Sequence, residues 1–487
     1  MRAPGNKKRR AAPPALSARL SGPVTLETQP DGTIAACFDG LSVGLGRFSA
    51  GAVERAKQLR AGLPLDTFKS ESDSDKEIDL LVRRLARRGL LEYRLGHSHS
   101  DEDQVVIEPQ IADYWPQMTK LGDAETIVLS RFAYLRRRGN EMVLESPRAG
   151  ALFRICDPNI ATTLATLSSP QKISRLRRQD GFPGAGLLAL LVDSQILFKL
   201  DAAGGDGLRA SEGDDNLVLW DFHDLLFHSR STEGRHSNPF GGLYPYADLI
   251  APPPAVRPRW PGKKIDLRRQ AVDSPAISPF AKLLRERHST RDFEDQQPIT
   301  LAELSQFLDR AARVQSTWKS RLDFGPGSPE VAYTTRPYPA AGSGYELEFY
   351  LSVANCAGLQ RGFYHYDADR HALVPIGVRP QELEASLTTA VFAMDAPAPP
   401  QILITIAARF DRISWKYCSI AYALILKDVG VLLQTLYLMA TDMGLGGCAI
   451  GTNNIDLFAR MTGIEFHIEG PVGQFALGRG RMPTDSG

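Results

Sequence analysis

Three stretches of this 487-residue chain carry residue types that do chemistry. RERHSTRDF sets Arg285, Arg287, His288, Ser289 and Arg291 within seven positions at the end of a predicted helix. Guanidinium forks beside a hydroxyl are what a phosphate needs. A second basic pair, Arg479 and Arg481, lies near the other end of the same stretch of chain. Two cationic loops from distant parts of one domain point to a bound phosphate group; Arg285 alone fits a solvated helix face better. The second stretch is Trp415-Lys416-Tyr417. Amine and phenol both ionise near ~10 when unperturbed. Burial or mutual interaction brings such a group into the range of a general base. These residues sit at a predicted loop-to-helix junction, where neighbouring side chains can converge. The third feature is a pair of small-residue loops, PAAGSGY (339–345) and GLGGCAIGTNN (444–454), whose backbone can approach a flat ligand and donate N–H groups to it.

Other chemistries find no support. His223, His228 and His236 are five and then eight residues apart, share no helical face, and have no cysteine or HExxH nearby, so a connector is the better reading than a metal site. There is no GxGxxG and no P-loop. The five cysteines form no CxxC pair, which fits a reducing, cytoplasmic compartment. Net charge is +1, so nothing global points to nucleic acid or a membrane. The basic start, MRAPGNKKRRAAPPA, is followed by no apolar segment of the secretory kind.

The elements that must position these residues are legible. From Ile420 to Met443 apolar residues fall on nearly every face, which predicts a helix buried in a core or at a subunit interface. Lys427 and Asp428 interrupt it, against a membrane span. Upstream, Pro279 to Phe293 reads as a short helix. Thr300 with Glu303 forms a capping box ahead of Leu301, Leu304, Leu308 and Ala311 at helical spacing. ELEFYLSV alternates as a strand, with Leu347, Phe349, Leu351 and Val353 on one face. A hairpin around Asp367–Asp369, a strand over Gln401–Phe410 and a closing strand over Phe475–Met482 complete the set. No regular βαβ rhythm appears, so this domain is α+β.

The front of the chain repeats one order of elements. Hairpins around Asp31-Gly32 and Gly139-Asn140 are each followed by a helix, then by a helix-turn-strand, LLVRRLARRGLLEYRL in one copy and GLLALLVDSQILFKL in the other. That order is winged-helix-like. Arg83, Arg84, Arg87 and Arg88 make the first copy's helix basic, and the second has no counterpart; a solvated face is the plainer reading than a nucleic-acid reader. Peptide binding would use an exposed strand edge or the groove beside it. The expected organisation is a disordered basic tail over 1–20, units over 21–115 and 120–205, a connector with a proline-rich linker over 206–270, and the larger domain over 271–487. Trp220, Phe222, Leu225 and Leu226 predict a connector helix packed on that larger domain.

Taken together, the motifs from about residue 275 to 485 resemble the nitroreductase-like flavoprotein superfamily, and within it the SagB-type peptide dehydrogenases, which include the azoline oxidases of thiazole/oxazole-modified microcin and cyanobactin pathways. The resemblance implies a central mixed sheet with helices, a homodimer with FMN at its interface, and an FMN phosphate held by Arg287, His288, Ser289 and Arg291, with Arg479 and Arg481 nearby. RPYPAAGSGYELEFYL is similar to the family's P-S-A-G loop and strand, implying backbone contacts to flavin from Pro339, Ala340, Ala341 and Gly342; Ala340 stands where serine is usual. GLGGCAIG implies ring contacts from Ala449, Ile450 and Gly451. Lys416-Tyr417 matches the pair proposed as catalytic in azoline oxidases. The paired front units are similar to the peptide-binding domains of cyanobactin-type oxidases. The expected reaction removes two hydrogens from a thiazoline or oxazoline of a ribosomal peptide, the proton to Lys416 or Tyr417 and the hydride to flavin. The partners implied are an azoline-bearing precursor peptide and a cyclodehydratase. Two alternatives stand beside it: an NAD(P)H-dependent nitroreductase or flavin reductase acting on small molecules, and a non-catalytic peptide-binding scaffold.

Overall fold

The computed structural model describes residues 15–38, 41–66, 73–96, 103–179, 182–200, 214–233, 244, 247–259, 261–267 and 277–481. The chain divides into two compact units, Met1–Ser237 and Asn238–Gly487.

The first unit uses one plan twice. Strand β1 (Ala15–Leu20) leads to a meander of β2 (Thr25–Thr28), β3 (Thr33–Phe38) and β4 (Leu41–Arg47), then α1 (Ala50–Gln58), β5 (Leu63–Pro64), α2 (Asp73–Ala86) and β6 (Leu91–Gly96). After β7 (Asp103–Pro109) the order recurs. It runs β8 (Thr126–Leu129), a meander of β9 (Tyr134–Arg138), β10 (Glu141–Glu145) and β11 (Ala151–Ile155), α3 (Asn159–Thr166), β12 (Gln171–Lys172), α4 (Ile173–Leu176), α5 (Ala185–Asp193) and β13 (Leu197–Leu200). The repeat extends to pairing: β1 lies between β5 and β6, and β8 between β12 and β13. Both expected hairpins form, with Gly32 and Gly139 at positive φ. Ile78, Leu81 and Leu85 of α2 and Leu187, Leu188 and Leu191 of α5 enter one core with Tyr93 and Phe153.

Two expectations change here. Residues 15–20, assigned to a tail, are the central strand of the first copy, because Leu16, Ala18 and Leu20 alternate inward; residues 1–14 lie outside the described residues. The two copies also share a sheet: β7 pairs with β6 on one side and β11 on the other, giving the order β5-β1-β6-β7-β11-β10-β9.

The connector helices, α6 (Asp215–Val218) and α7 (Phe222–Arg230), lie within the first unit and pack on its second copy. Phe222 meets Tyr134 edge-on at 5.8 Å, Arg230 pairs with Glu145 at 2.8 Å, and Arg131 donates to the Leu217 carbonyl. His228 is buried against Trp220 as a core ring, whereas His223 is exposed. His236 lies outside the described residues, among which no metal-type cluster occurs.

In the second unit α8 (Pro279–Glu286) and α9 (Leu301–Ala312) precede a two-stranded ribbon, β14 (Ser316–Arg321) and β15 (Glu330–Thr335). A 3-10 turn (Ala341–Ser343) then leads to β16 (Leu347–Val353), β17 (Gly362–Asp367), β18 (Ala372–Ile376), α10 (Pro380–Met394), β19 (Ile402–Arg409), α11 (Asp411–Ser414), α12 (Ala421–Asp442), β20 (Gly446–Ile450), α13 (Ile455–Thr462) and β21 (Glu469–Gly478). The sheet order is β18-β17-β16-β19-β21-β20. Every pair in it is antiparallel, where a mixed sheet was expected; short hairpin connections impose this on β16, β17 and β18.

The capping box forms as read: Thr300 Oγ1 accepts the Glu303 N–H and Glu303 Oε2 accepts the Thr300 N–H. Helix α8 stops at Glu286 and not Phe293. Arg287 leaves helical geometry, and the following residues run extended, with Thr290 N–H donating to the Gly447 carbonyl at 2.8 Å and Phe293 bridging to Gly480. Within the expected small-residue loop at 444–454, Gly446–Ile450 form strand β20. Its glycines serve close packing: a Cβ at Gly447 would overlap the Phe475 ring, and one at Gly446 would come within 2.6 Å of Thr290 Cγ2. The closing strand ends at Gly478, before Arg479.

Helix α12 is long and apolar enough to cross a membrane by length and composition. It buries one face, with Ala421, Tyr422, Ile425, Asp428, Val429, Leu432, Leu436 and Ala440 covered. Ala423, Lys427, Gly430, Val431 and Gln434 are left exposed, so burial on all sides does not occur within one chain.

Candidate functional site

Helix α12 organises two groups of side chains. The first gathers around Tyr437. Its hydroxyl is 2.8 Å from Ser289 Oγ and accepts the Ala449 N–H at 2.8 Å. Its ring lies 5.1 Å below the Arg287 guanidinium and meets Phe475 edge-on. Tyr437 therefore ties the RHSTRDF segment to β20. It went unread in the sequence, where the only signal was a phenol in an aliphatic run.

Among the described residues neither Arg287 nor Arg291 has a carboxylate partner. Arg291 is exposed, and His288 is exposed with Nδ1 3.0 Å from the Glu286 carbonyl. Two unpaired guanidiniums flanking a hydroxyl fit an anion with several acceptor oxygens. Arg481 returns to the same segment: its N–H donates to the Asp292 carbonyl, and its half-exposed guanidinium is 3.7 Å from Asp292. Arg479 does not join. Its guanidinium holds both Glu303 oxygens at 2.7 and 3.0 Å and the Gln297 carbonyl at 3.0 Å, fixing the end of β21 to the start of α9. The expected phosphate role for Arg479 is thus corrected, because Glu303 and the Gln297 carbonyl hold two of its three guanidinium nitrogens. The Ala449 N–H is likewise taken by Tyr437 and Ile450 is buried, which leaves Gly451 exposed at the end of β20.

The second group surrounds the loop Pro339–Gly344. Asp428, the one acid buried in α12, accepts the Ala341 N–H at 2.8 Å. Gly342 has φ +53, and a Cβ there would overlap both Lys416 Nζ and Tyr417 Oη. Lys416 Nζ donates to the Gly342 carbonyl at 3.1 Å and lies 5.3 Å over the Tyr417 ring. The amine and phenol thus converge on one loop, as their junction position predicts. Their segment is the turn after α11, where both backbone N–H groups return to the Ile413 carbonyl. Lys416 is exposed and Tyr417 half-buried. Pro339 is exposed and Ala340 half-buried; Ala340 makes no side-chain cap bond to the turn it precedes. Arg412 donates to the Gly344 carbonyl at 3.1 Å, bracing the loop from α11.

Beneath this loop lies Glu346, fully buried. Burial pushes its carboxyl up to about 7, the Asp428 carboxyl adding to the rise while Arg336 opposes it. Burial also raises Asp428.

Asp428 and Tyr437 are nine residues apart, hence half a turn out of phase and about 13 Å apart along the helix. The two groups occupy opposite sides of α12. Both are chemically coherent, one for an anion and one for a flat ligand beside a base.

Comparison with known proteins gives this architecture its class. A model described as the nitroreductase family matches residues 284–479. A Methanocaldococcus jannaschii protein bearing a nitroreductase name is 31% identical over 169 residues, covering 35% of this chain and 76% of the relative. The chain belongs to the nitroreductase family, a family of oxidoreductases. Ahead of that domain, residues 127–237 match a model described as the cyanobactin oxidase ThcOx. Among solved structures, a Ralstonia eutropha protein with a nitroreductase name is 21% identical, covering 44% of this chain and 88% of that one, with a TM-score of 0.32. A chain of the Escherichia coli microcin synthetase McbBCD complex, solved with truncated pro-MccB17 bound, is 20% identical, covering 55% and 97%, with a TM-score of 0.38.

Proposed function

We propose that this protein is an FMN-dependent oxidase that converts azoline rings of a ribosomal peptide to azoles. The observation that carries the reading is the convergence of Lys416 and Tyr417 on Gly342, in a nitroreductase-family domain preceded by a segment that matches a cyanobactin oxidase. Arg287, Ser289, Arg291 and Arg481 would hold the phosphate, and the Pro339–Gly342 loop with Gly451 would face the ring system. When bound, FMN supplies the hydride acceptor that side chains lack. The chain's own part is to place a base and exclude water. Lys416, anchored to the Gly342 carbonyl, or Tyr417 beside it, takes the proton next to the ring imine.

A homodimer completes this proposal. The groups on opposite sides of α12, together with the uncovered face at Ala423, Gly430 and Val431, favour a site assembled from two copies. Sedimentation should return twice the chain mass, and Val431→Glu should return single chains. A single-chain mass for the unaltered protein would remove the two-copy arrangement.

The first unit is proposed to hold the peptide. In the second copy, the β11 edge is filled by β7, antiparallel. In the first copy the equivalent strand β4 pairs with β3 alone among the described residues. A groove of about 570 Å³ beside it is lined by Gly44, Leu45, Gly46, Arg84, Arg87 and Arg88. An extended segment added to that edge would do in trans what β7 does in cis, raising the peptide's local concentration.

The deciding experiment is mass spectrometry of an azoline-bearing peptide incubated with FMN-loaded protein in air. Loss of two hydrogens per ring is the expected result. Unchanged mass on thiazoline and oxazoline peptides, with bleaching of the flavin by NAD(P)H, would instead assign a small-molecule reductase.

A further inference from the structure

Glu346 is an unusual residue for its place. It stands at the entry to β16 with no accessible surface, and neither carboxyl oxygen finds a hydrogen-bond donor among the described residues. One of the polar groups facing it is another acceptor, the Asp428 carboxyl. Two ionised carboxylates cannot share a buried site at tolerable cost, whereas one proton between them satisfies both. Arg336 is close: it donates to the Leu347 carbonyl at 2.8 Å and lies 3.6 Å from Glu348, while its buried Nε has no hydrogen-bond partner among the described residues. The Tyr338 hydroxyl, also buried, completes the surroundings. The Glu346 backbone carbonyl is fixed by the Arg409 N–H at 3.0 Å.

We propose that Glu346 is kept as a neutral acid that donates its proton to Asp428, and that this shared proton positions the Pro339–Gly342 loop and, through it, Lys416. In this proposal Glu346 donates to the Asp428 carboxyl beside it; Asp428 accepts the Ala341 N–H, and the next residue's carbonyl accepts Lys416 Nζ. Glu346 is a positioning residue that touches neither substrate nor cofactor. Loss of the proton sets two anions against each other beneath the loop and loosens it. The charged and titratable groups facing the pair are Arg336 and Tyr338, with Glu348 next to both of them. The part concerning Lys416 rests on the oxidase reading; the shared proton does not.

The sign of the pH effect is fixed. An acid whose ionisation moves from its ordinary 4.5 to about 7 on folding binds more protons folded than unfolded. Its contribution to stability is full below 4.5 and is lost as pH rises through about 7.

The test compares the wild type with Glu346→Gln, whose amide donates without titrating, and with Glu346→Ala. In wild-type-minus-Gln difference infrared spectra at neutral pH, a protonated carboxylic-acid carbonyl band should appear and vanish in alkali. The wild-type melting temperature should descend relative to the Gln variant as pH rises through about 7. FMN affinity should weaken several-fold over the same window in the wild type, stay level in Gln, and be weak at every pH in Ala. Absence of the carbonyl difference band, or parallel melting profiles in wild type and Gln, overturns the shared proton. A protein that binds no FMN would count against the proposed function, while the infrared and melting comparisons would still decide the Glu346 proposal.

Discussion

Replacing Lys416 with alanine and Tyr417 with phenylalanine together should leave FMN bound and abolish azoline oxidation. Neither side chain belongs to the Arg287–Tyr437 group proposed to hold the phosphate, and Lys416 is exposed. Its removal therefore costs little stability, within about 0.5 kcal/mol for an exposed position. What is lost is a positioned acceptor for the ring proton, and general-base catalysis contributes roughly 10²–10⁴-fold. The single variants separate the two roles. If the amine is the base, Lys416→Ala alone carries nearly the whole loss and Tyr417→Phe a small one. The double variant is read by its flavin absorbance after desalting and by mass spectrometry of the peptide. Undiminished turnover would remove these residues from the chemistry.

The second large effect falls on cofactor retention. Arg287→Ala with Arg291→Ala should release FMN while leaving the fold intact. A hydrogen bond to a charged group contributes about 1.5–3 kcal/mol, so two lost contacts should weaken FMN by roughly 10²–10⁴-fold. Because neither guanidinium has a carboxylate partner among the described residues, no buried acid is stranded by the change. Riboflavin, which lacks the phosphate, is the control: its affinity should hardly move. Arg479→Ala should behave oppositely, lowering the melting temperature by freeing Glu303 and the start of α9 while FMN affinity holds. Equal FMN loss in the double variant and in Arg479→Ala, by fluorescence titration, would show that the phosphate reading of Arg287 and Arg291 is wrong.

Much of this was legible in the sequence, and the rest failed for identifiable reasons. Local signals carried well: the capping box at Thr300 and the hairpins at Asp31-Gly32, Gly139-Asn140 and Asp367–Asp369 depend on neighbours within a few residues. The convergence of Lys416 with Tyr417 followed from their place after a short turn. Long-range partners were not readable. Arg479 and Arg481 look equivalent in sequence; the first is hydrogen-bonded by Glu303, 176 residues away, and the second lies more loosely near Asp292 and Glu294. GGCAI looked like a loop because glycines mark turns; here they admit Phe475 and Thr290 at close range. Helix α12 appeared apolar all round, and sequence cannot tell a face meant for the same chain from one meant for another. Glu346 opened the expected strand ELEFYLSV and drew no reading of its own, since nothing local shows that its side chain is sealed under a loop facing an acid from a helix 82 positions on.

Strand β7 gives the duplicated unit a property its two copies do not have singly. It hydrogen-bonds to β6 of the first and β11 of the second, so the duplication is welded and not merely tandem. A cut on either side of it strips one copy of its neighbour and bares an unpaired edge, a template for association with other chains. The copies cannot be shuffled, trimmed or exchanged as modules. The two copies differ within that shared body: α2 carries Arg83 and Arg84 in its last turn, and α5 carries no basic residue.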